Sequence, residues 1–233
     1  MYKIIKSTYH IVIYIFIIFD YAFADTLKCN YKKNICEKLD KVVGIKTPMM
    51  IASGTIINEN IIVTNRHVVE DHKQFVIKFN NGEIKKAFPL PHNFPADLAL
   101  LSLKKELHKL NELPKSNKIV GKIRVIAYDQ GRNANRIYNP GKVISFSDFN
   151  KYPQARIHTT AKSLPGNSGG SVVDENGELI GILASGDGNI NEVIPVSLIN
   201  KIIQNTNLKH EDEFYKIGKY IKTCADNLET AFN

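Results

Sequence analysis

Short apolar segments separated by polar turns run through the chain from Val42 onward. Segments of this length and even spacing are typical of β-strands, and they favour an all-β domain over an α/β one. The first group of predicted strands comprises Val42–Lys46, Met50–Asn58, Ile61–Thr64, Gln74–Phe79, Ile84–Phe88 and Leu98–Leu103. The second group comprises Lys122–Ala127, Ile137–Ser147, Ala155–Thr160, Ser171–Val173, Leu179–Leu183 and Glu192–Pro195.

The polar stretches between these segments carry signals for tight turns and for one longer connection. Asn80-Asn81-Gly82 and Asp174-Glu175-Asn176-Gly177 each end in the glycine that hairpin turns favour. Lys104–Lys118 is polar and lysine-rich and contains Pro114. We interpret this stretch as the connector between the two groups of strands.

Two helices are predicted after the last strand. Ser197–Gln204 has a helical pattern, with Ser197 placed to cap its N-terminus. The tail over Glu211–Leu228 repeats apolar residues at a roughly helical spacing, namely Phe214, Ile217, Ile221 and Leu228. This tail helix either packs on the β domain, which we favour, or binds a partner or a second copy of the chain.

The N-terminal segment is typical of a targeting signal rather than of a folded domain. Lys3 and Lys6 precede an apolar run over Ile11–Phe19, and Ala22-Phe23-Ala24 follows as a small-residue cleavage motif. Residues 1–24 are therefore interpreted as a secretory signal peptide cleaved after Ala24, which predicts a secreted or periplasmic protein. An uncleaved membrane anchor is the alternative, although the apolar run is short for a span of about 20 residues.

Composition narrows the classes of partner. The 233 residues include 31 Lys and Arg against 23 Asp and Glu, a formal net charge of +8, but the lysines are spread along the chain. Because no basic stripe interleaved with aromatic residues is visible, we expect a solvated surface and no nucleic-acid partner. Weak attraction to anionic surfaces is the alternative. A chain of this length buries the core of one full domain.

Three cysteines, Cys29, Cys36 and Cys224, lie outside the predicted strands. Because a secreted chain forms disulfides, Cys29 or Cys36 bonded to Cys224 would tie the two ends together, and a Cys29–Cys36 loop is the other simple pairing. We prefer the end-to-end bond because both ends fall outside the strands. No Cys/His spacing resembles a zinc site, so neither a metal nor a cofactor is expected.

The octapeptide Leu164–Ser171 has the composition of a nucleophile loop. Pro165 restricts the backbone where the turn begins, and Gly166 adopts dihedral angles closed to other residues. Ser168 supplies a hydroxyl that a nearby base activates, and the amides of Gly166 and Ser168 suit a developing oxyanion. A Gly-Ser surface turn without chemistry is the alternative for this stretch taken alone.

Two other stretches supply partners for this serine. His67 lies in a predicted short turn after an apolar run that ends at Thr64, and Asp97 stands at the mouth of the apolar strand Leu98–Leu103. A carboxylate there is costly unless a group such as a histidine pairs with it. Taken alone, a core histidine and a turn-capping aspartate are the ordinary interpretations. The chain order His67, Asp97, Ser168 is one of the known orders of the serine triad.

Together these stretches resemble the trypsin-like (chymotrypsin-fold) serine peptidases, and most of all their bacterial HtrA/Deg branch. The matching motifs are Thr64-Asn65-Arg66-His67-Val68-Val69, Asp97-Leu98-Ala99-Leu100-Leu101 and Pro165-Gly166-Asn167-Ser168-Gly169-Gly170, with further similarity at Ser53–Ile57, Gly181–Ile182 and Val193–Pro195. The match covers residues 42–203. It implies two six-stranded antiparallel β-barrels over about 42–110 and 119–196. These barrels would form a peptidase domain over 42–205, between a lead-in at 25–41 and a helical tail at 206–233.

The resemblance also implies a role for each matching residue. Ser168 would be the nucleophile, His67 the general base and then the acid, and Asp97 the carboxylate that orients the imidazole. The Gly166 and Ser168 amides would form the oxyanion hole. Asn167 stands where animal trypsins carry an aspartate, which argues against activation by an ion pair with a new N-terminus. The length leaves no room for the C-terminal PDZ domain of most HtrA proteins, so the peptide-gated trimer regulation of that family is not implied.

The P1 residue of a substrate is the one that precedes the cleaved bond. In the trypsin fold, the pocket for its side chain lies between the segment before the nucleophile and a later strand. Lys162 would lie at the pocket floor, and Ala184-Ser185-Gly186 would form one wall. A lysine inside the pocket would favour an acidic P1 residue. With Lys162 pointing to solvent instead, Leu164 and Ala184 favour a small to medium apolar P1 residue.

Two functions from different classes follow from the resemblance. The first is a secreted or periplasmic serine endopeptidase that hydrolyses polypeptide substrates through an acyl-enzyme. The second is a catalytically silent binding or chaperone protein on the same fold. The presence of all three triad residues and of Gly166 favours the enzyme. Membrane contact is expected only through an uncleaved signal segment, and the sequence does not predict the oligomeric state.

Overall fold

Antiparallel strands build most of the chain between residues 42 and 195. The computed structural model describes residues 29–104, 110–111, 113, 121–146, 152, 155–186 and 189–232. The predicted signal segment and most of the predicted connector lie outside these residues. The chain divides into units at Met1–Lys32 and Lys33–Asn233, and the strands and helices described here belong to the second.

The first group of strands forms a closed barrel. Its strands are β1 (Val42–Lys46), β2 (Ile51–Asn58), β3 (Ile61–Thr64), β4 (Phe75–Lys78), β5 (Ile84–Leu90) and β6 (Ala99–Ser102). They pair antiparallel in the order β1-β2-β3-β6-β5-β4, and β4 closes the ring on β1. Inward-facing residues fill the barrel, so Ile45, Ile62 and Ile77 are fully buried in one cluster. The predicted strands are confirmed, with small differences at their ends.

The second group of strands also closes on itself. Its strands are β7 (Lys122–Asp129), β8 (Ala134–Ile137), β9 (Gly141–Phe146), β10 (Ile157–Thr159), β11 (Ser171–Asp174), β12 (Leu179–Gly186) and β13 (Asn191–Pro195). The sheet order is β11-β12-β13-β10-β9-β7-β8, and pairing between β11 and β7 closes it. Because β8 and β9 pair with opposite ends of β7, they share one position in a six-stranded barrel. The predicted fold of two six-stranded antiparallel barrels is confirmed.

The break between β8 and β9 corrects the single strand predicted over Ile137–Ser147. Pro140 lies in the break and has no N–H to donate to a strand ladder. The Tyr138 amide just before it still donates to the Val125 carbonyl of β7 at 2.9 Å. Gly141 then packs so closely on the Ala161 backbone that a Cβ would overlap it.

The described residues form four α-helices. They are α1 (Lys33–Cys36), α2 (Arg66–Val69), α3 (Val196–Asn205) and α4 (Glu211–Phe232), with 3-10 turns at Glu37–Lys41 and Leu208–His210. The two predicted C-terminal helices are confirmed, but Ser197 is not the N-cap, because α3 begins at Val196 and the capping position falls on Pro195. The turn predicted at His67 is the helical turn α2. Among the described helices, none combines the length and hydrophobicity needed to cross a membrane.

Helix α4 packs on the first barrel through its N-terminal turns. Phe214 is fully buried in the same cluster as Val69 and Phe75. The described part of the tail helix therefore packs on the domain, as the sequence favoured. The side chains of Ile221 and Leu228 lie outside the described residues.

The disulfide prediction needs a correction. Cys29 and Cys36 are both disulfide-bonded, which corresponds to the short loop rather than to the preferred end-to-end bond with Cys224. Closing a short loop costs less chain entropy than joining the two ends of the chain.

Candidate active site

The first barrel brings His67 and Asp97 together. Strand β3 leads into α2, which carries His67, and Asp97 lies just before β6, the neighbour of β3. His67 Nδ1 lies 2.9 Å from Asp97 Oδ2 and 3.2 Å from Oδ1, and the His67 amide donates to Oδ1 at 2.9 Å. Asn65 Nδ2 donates to the Asp97 carbonyl at 3.1 Å. The aspartate is thus fixed by two neighbours, and it orients both the main chain and the ring of His67.

The surroundings of His67 make it a stronger base than a free histidine. Burial lowers the pKa of His67, but the hydrogen bond with Asp97 and the negative charges of Asp97 and Glu70 outweigh burial, so the pKa is raised above its usual 6.5. The side chains of His67 and Asp97 are 36% and 29% exposed, so the pair remains open to solvent. An imidazole held in this way suits a group that accepts a proton and then returns it.

Arg66 anchors the helical turn that carries His67. Although it is charged, its side chain is buried, and Nη1 donates to the Glu70 carbonyl at 2.9 Å while Nη2 donates to the Phe214 carbonyl. The guanidinium carbon lies 3.6 Å from the centroid of the Phe214 ring, a cation–π contact. Burial lowers the pKa of Arg66 to about 10, against the opposing effects of Tyr215 and Asp97, so Arg66 stays charged at neutral pH. Helix α4 is thereby tied to the turn that carries His67.

The second barrel supplies Ser168, in the loop between β10 and β11. Its hydroxyl donates to the Ala184 carbonyl of β12 at 3.0 Å, and its carbonyl accepts from the Ser53 amide of β2 at 2.8 Å. Gly166 and Gly169 have φ values of +87° and +88°, a left-handed conformation that other residues rarely adopt. A Cβ at residue 169 would also overlap the Ser53 carbonyl. The glycines of this loop are therefore required where it meets the first barrel.

Asn167 is fully buried beneath this loop. Its Nδ2 donates to the Tyr128 carbonyl at 3.0 Å and to the Tyr138 hydroxyl at 3.1 Å, and its Oδ1 accepts from the Leu164 amide at 2.7 Å. The two bonds from Nδ2 hold the loop against β7 and the residue after β8, and the bond from Leu164 closes the loop on itself. A neutral amide satisfies all three partners, and no buried charge is needed.

The two amides predicted to form an oxyanion hole flank Asn167. Within the part of the chain that the structure describes, neither the Gly166 nor the Ser168 N–H donates to another protein group, whereas the Asn167 amide donates to the Leu164 carbonyl at 3.1 Å. Both residues are half-buried. Two N–H groups without a protein acceptor, one residue apart, suit the binding of a negatively charged oxygen.

The serine and the histidine are not joined in this structure. Ser168 Oγ donates to Ala184, and no hydrogen bond between Ser168 and His67 exists among the described residues. Catalytic hydrogen bonds are often long in the absence of substrate and shorten in the complex. Of the three predicted residues, the structure therefore pairs His67 with Asp97 and leaves Ser168 bonded elsewhere.

The residues predicted to form the specificity pocket lie in different environments. Lys162 and Leu164 are exposed, and Ala184 is buried. Ser185 and Gly186 line an open cleft of about 510 Å³, whose other lining residues are Ile144, Ser145, His158, Ile190 and Glu192. Asn191, which the sequence did not single out, is buried beside Gly186. Its signal in the sequence is a polar residue at the start of a strand that ends in the apolar run Val193–Pro195.

One group of potential metal ligands lies near the site. Side-chain atoms of Glu70, Asp71 and His72, on the turn after α2, come within 4.8 Å of one another. All three residues are only half-buried. Acidic groups commonly approach this closely without a metal, so the proximity does not by itself indicate a metal centre.

Comparison with known sequences shows which protein family this chain resembles. The profile of the trypsin-like peptidase domain matches residues 52–182, a range that contains His67, Asp97 and Ser168. A serine protease HtrA-like protein of Staphylococcus aureus (strain USA300) is 27% identical over 198 residues, which cover 75% of this chain and 26% of that protein. The chain therefore spans about a quarter of the length of the curated relatives that it matches.

Solved structures share the fold. The HtrA-type protease AlgW with a tripeptide is 26% identical, with a TM-score of 0.60 over 73% of this chain and 62% of that one. The inactive form of the Rv3671c protease is 17% identical, with a TM-score of 0.61 over 75% of this chain and 93% of that one, and shows the fold alone. The family profile matches more than half of the sequence, and on that match the chain belongs to the trypsin-like peptidase domain family.

Proposed function

We propose that this protein is a serine endopeptidase that hydrolyses polypeptides, with Ser168 as nucleophile, His67 as general base and Asp97 as orienting carboxylate. The bond between His67 Nδ1 and Asp97 at 2.9 Å carries the proposal, because a proton held on Nδ1 leaves Nε2 as the acceptor. The family match and the similarity to HtrA-type serine proteases support the same activity.

In the proposed reaction, the Ser168 hydroxyl exchanges its bond to Ala184 for one to His67 Nε2. Oγ then attacks the carbonyl carbon of the scissile peptide while Nε2 takes the proton, and the Gly166 and Ser168 amides donate to the oxyanion. Collapse of the tetrahedral intermediate breaks the C–N bond, and the imidazolium gives its proton to the leaving amine. Water then loses a proton to Nε2 and attacks the acyl carbon. Collapse of this second tetrahedral intermediate breaks the bond to Ser168 Oγ, which takes the proton back from Nε2, and the carboxylic acid product leaves.

The raised pKa of His67 fits both halves of this cycle. Asp97 stabilises the imidazolium that forms when Ser168 loses its proton. The base must be neutral before attack, so activity is expected to rise with pH as His67 loses its proton. Because the pKa is raised, that rise is expected at a higher pH than an unperturbed histidine would give.

A fluorophosphonate probe tests the proposal on the full chain, with the labelled residue located by mass spectrometry. We expect labelling at Ser168 that disappears in Ser168→Ala and falls sharply in His67→Ala. Ser197→Ala, a serine replaced in helix α3, is the matched control and should keep wild-type labelling. Folded wild-type protein that resists the probe would contradict the proposal.

A second function, a catalytically silent binding or chaperone protein, has one observation in its favour. The Ser168 hydroxyl is bonded to Ala184 and not to His67. The two functions predict opposite results in the labelling experiment. The peptidase reacts with the fluorophosphonate at Ser168, whereas a catalytically silent protein does not.

We further propose that the protein works outside the cytoplasm after cleavage behind Ala24, with an uncleaved anchor as the alternative. The basic residues, apolar run and small-residue motif of residues 1–24 support this. N-terminal sequencing of the chain from fractionated cells separates the outcomes. A mature chain that begins at Asp25 is expected, and an intact N-terminus in the membrane fraction would indicate the anchor.

A further inference from the structure

The position of Ser168 limits where the P1 side chain of a substrate can lie. In the proposed function, on which this inference rests, the carbonyl carbon of the P1 residue bonds to Ser168 Oγ. That oxygen contacts the Ala184 carbonyl of β12 at 3.0 Å. The resemblance to the trypsin fold implies that the P1 side chain then enters between the segment before Ser168 and the end of β12 at Gly186, beside this contact.

Asn191 occupies the space behind this entrance. It pairs with Gly186 across β12 and β13, and a Cβ added at Gly186 would overlap Asn191 Oδ1. From there the amide reaches the segment before the nucleophile. Asn191 Nδ2 donates to the Ala161 carbonyl at 2.6 Å, and Ser163 Oγ donates to Asn191 Oδ1 at 2.7 Å. One side chain thus bridges the two walls between which a P1 side chain would insert.

The bridge is fixed rather than adaptable. Asn191 is 1% exposed, and both ends of its amide are hydrogen-bonded. Swinging it aside would leave the buried Ala161 carbonyl without its donor, which is costly. A large P1 side chain therefore has to break this bridge before it can enter.

Among the described residues, the walls offer no charge to a P1 side chain either. Lys162 is exposed, which does not favour the acidic P1 residue considered from the sequence. Glu192 alternates with Asn191 along β13, so it lies on the opposite face, where it accepts a hydrogen bond from Ser185 Oγ at 2.9 Å. We infer that Asn191 closes the P1 pocket and restricts cleavage to bonds that follow a small uncharged residue, namely Gly, Ala or Ser.

Peptidyl diphenyl phosphonates that differ only in the P1 side chain test this inference on the full chain. Their rates of reaction with Ser168 are divided by the rate of a small fluorophosphonate that has no P1 group, which corrects for changes in the triad. For the wild type we expect Ala at P1 to react at least about tenfold faster than Phe, the discrimination expected of a pocket too small by several carbon atoms. In Asn191→Gly and Asn191→Ser, the ratio of the Phe rate to the Ala rate should rise by about tenfold or more.

Asn205→Ala, an exposed asparagine on α3, is the matched control and should leave the ratio unchanged. Wild-type protein that reacts with the fluorophosphonate but prefers Phe or Glu at P1 would overturn the inference and leave the proposed function standing. Wild-type protein that does not react with the fluorophosphonate would overturn the proposed function, and the inference with it. Sequencing of the peptides that the wild type releases from an unfolded protein gives the P1 preference without any variant.

Discussion

The two barrels hold their parts of the candidate site to different degrees. In the first barrel, the Asp97 carboxylate receives hydrogen bonds from the His67 ring and from the His67 amide, and Asn65 fixes the Asp97 main chain. In the second barrel, the main chain of the Ser168 loop is fixed, but the Ser168 hydroxyl is bonded to Ala184 and not to the base. The acid–base pair is thus organised in advance, whereas the nucleophile has to exchange one hydrogen bond before it reacts.

Helix α4 packs against the part of the first barrel that carries His67. The Phe214 ring lies against the Arg66 guanidinium on one side and makes an edge contact with His92, with ring centroids 5.4 Å apart. Burial lowers the pKa of His92 to about 4, so this ring is neutral at physiological pH and its Nε2 donates to the Leu98 carbonyl at 3.0 Å. A helix from the end of the chain therefore supports the turn that carries His67.

Asp97→Asn should have the largest effect, because it breaks the preorganised pair while keeping its shape. An amide does not stabilise the imidazolium and favours the wrong tautomer, so we expect the rates of labelling and peptide hydrolysis to fall by about 10⁴-fold. The Asp97 hydrogen bond and charge raise the pKa of His67, so any remaining activity should rise with pH at a lower pH than in the wild type.

The control for this variant is Asp174→Asn, which replaces the carboxylate of a surface hairpin in the second barrel. The Asp174 side chain accepts hydrogen bonds from the Asn176 and Glu178 amides, and an asparagine oxygen can replace that function. We expect a labelling rate close to that of the wild type. If Asp97→Asn kept a similar rate, the His67–Asp97 pair would not be the proposed base.

Phe214→Ala tests the support from α4 and should lower the free energy of unfolding by about 3–5 kcal/mol, the usual cost of removing a buried phenyl ring. The Arg66 guanidinium would also lose its stacking partner, so the turn that carries His67 should loosen. Chemical denaturation gives the stability, and the labelling rate of the folded fraction gives the effect on the site. Tyr220→Ala, at a 70% exposed position on the same helix, is the matched control. A stable, fully reactive Phe214→Ala variant would show that α4 does not support the site.

Local patterns explain why so much of this architecture was predictable. Strand ends follow from apolar alternation and turn glycines, and Gly82 indeed has a φ of +85° in the predicted hairpin. The candidate triad follows from three short motifs around His67, Asp97 and Ser168, and each motif is read without knowledge of the fold. The family resemblance then placed them on two barrels.

The features that were missed depend on contacts between distant parts of the chain. Asn191 meets Gly186 only through the register of β12 and β13, and Arg66 meets Phe214 only through the docking of α4. Neither residue type signals its partner, because the same asparagine or arginine would be ordinary at a surface. The Ser168 bond to Ala184 is a choice of side-chain rotamer, which no sequence pattern encodes.

Asn167→Ala tests the second barrel and should lower the free energy of unfolding less than Phe214→Ala does. It removes the bonds to the Leu164 amide, the Tyr128 carbonyl and the Tyr138 hydroxyl. Leaving such groups without partners is expected to lower the free energy of unfolding by about 2 kcal/mol.

The Gly166 and Ser168 amides should lose their fixed direction in Asn167→Ala, so the labelling rate of the folded protein should also fall. The pH at which labelling rises should not move, because the groups that raise the pKa of His67 all lie in the first barrel. Chemical denaturation measures the free energy of unfolding. Labelling at a series of pH values measures the labelling rate and the pH at which it rises, and the exposed Asn205→Ala is the control. A shift of that pH in Asn167→Ala would show that the two halves of the site are coupled and not independently organised.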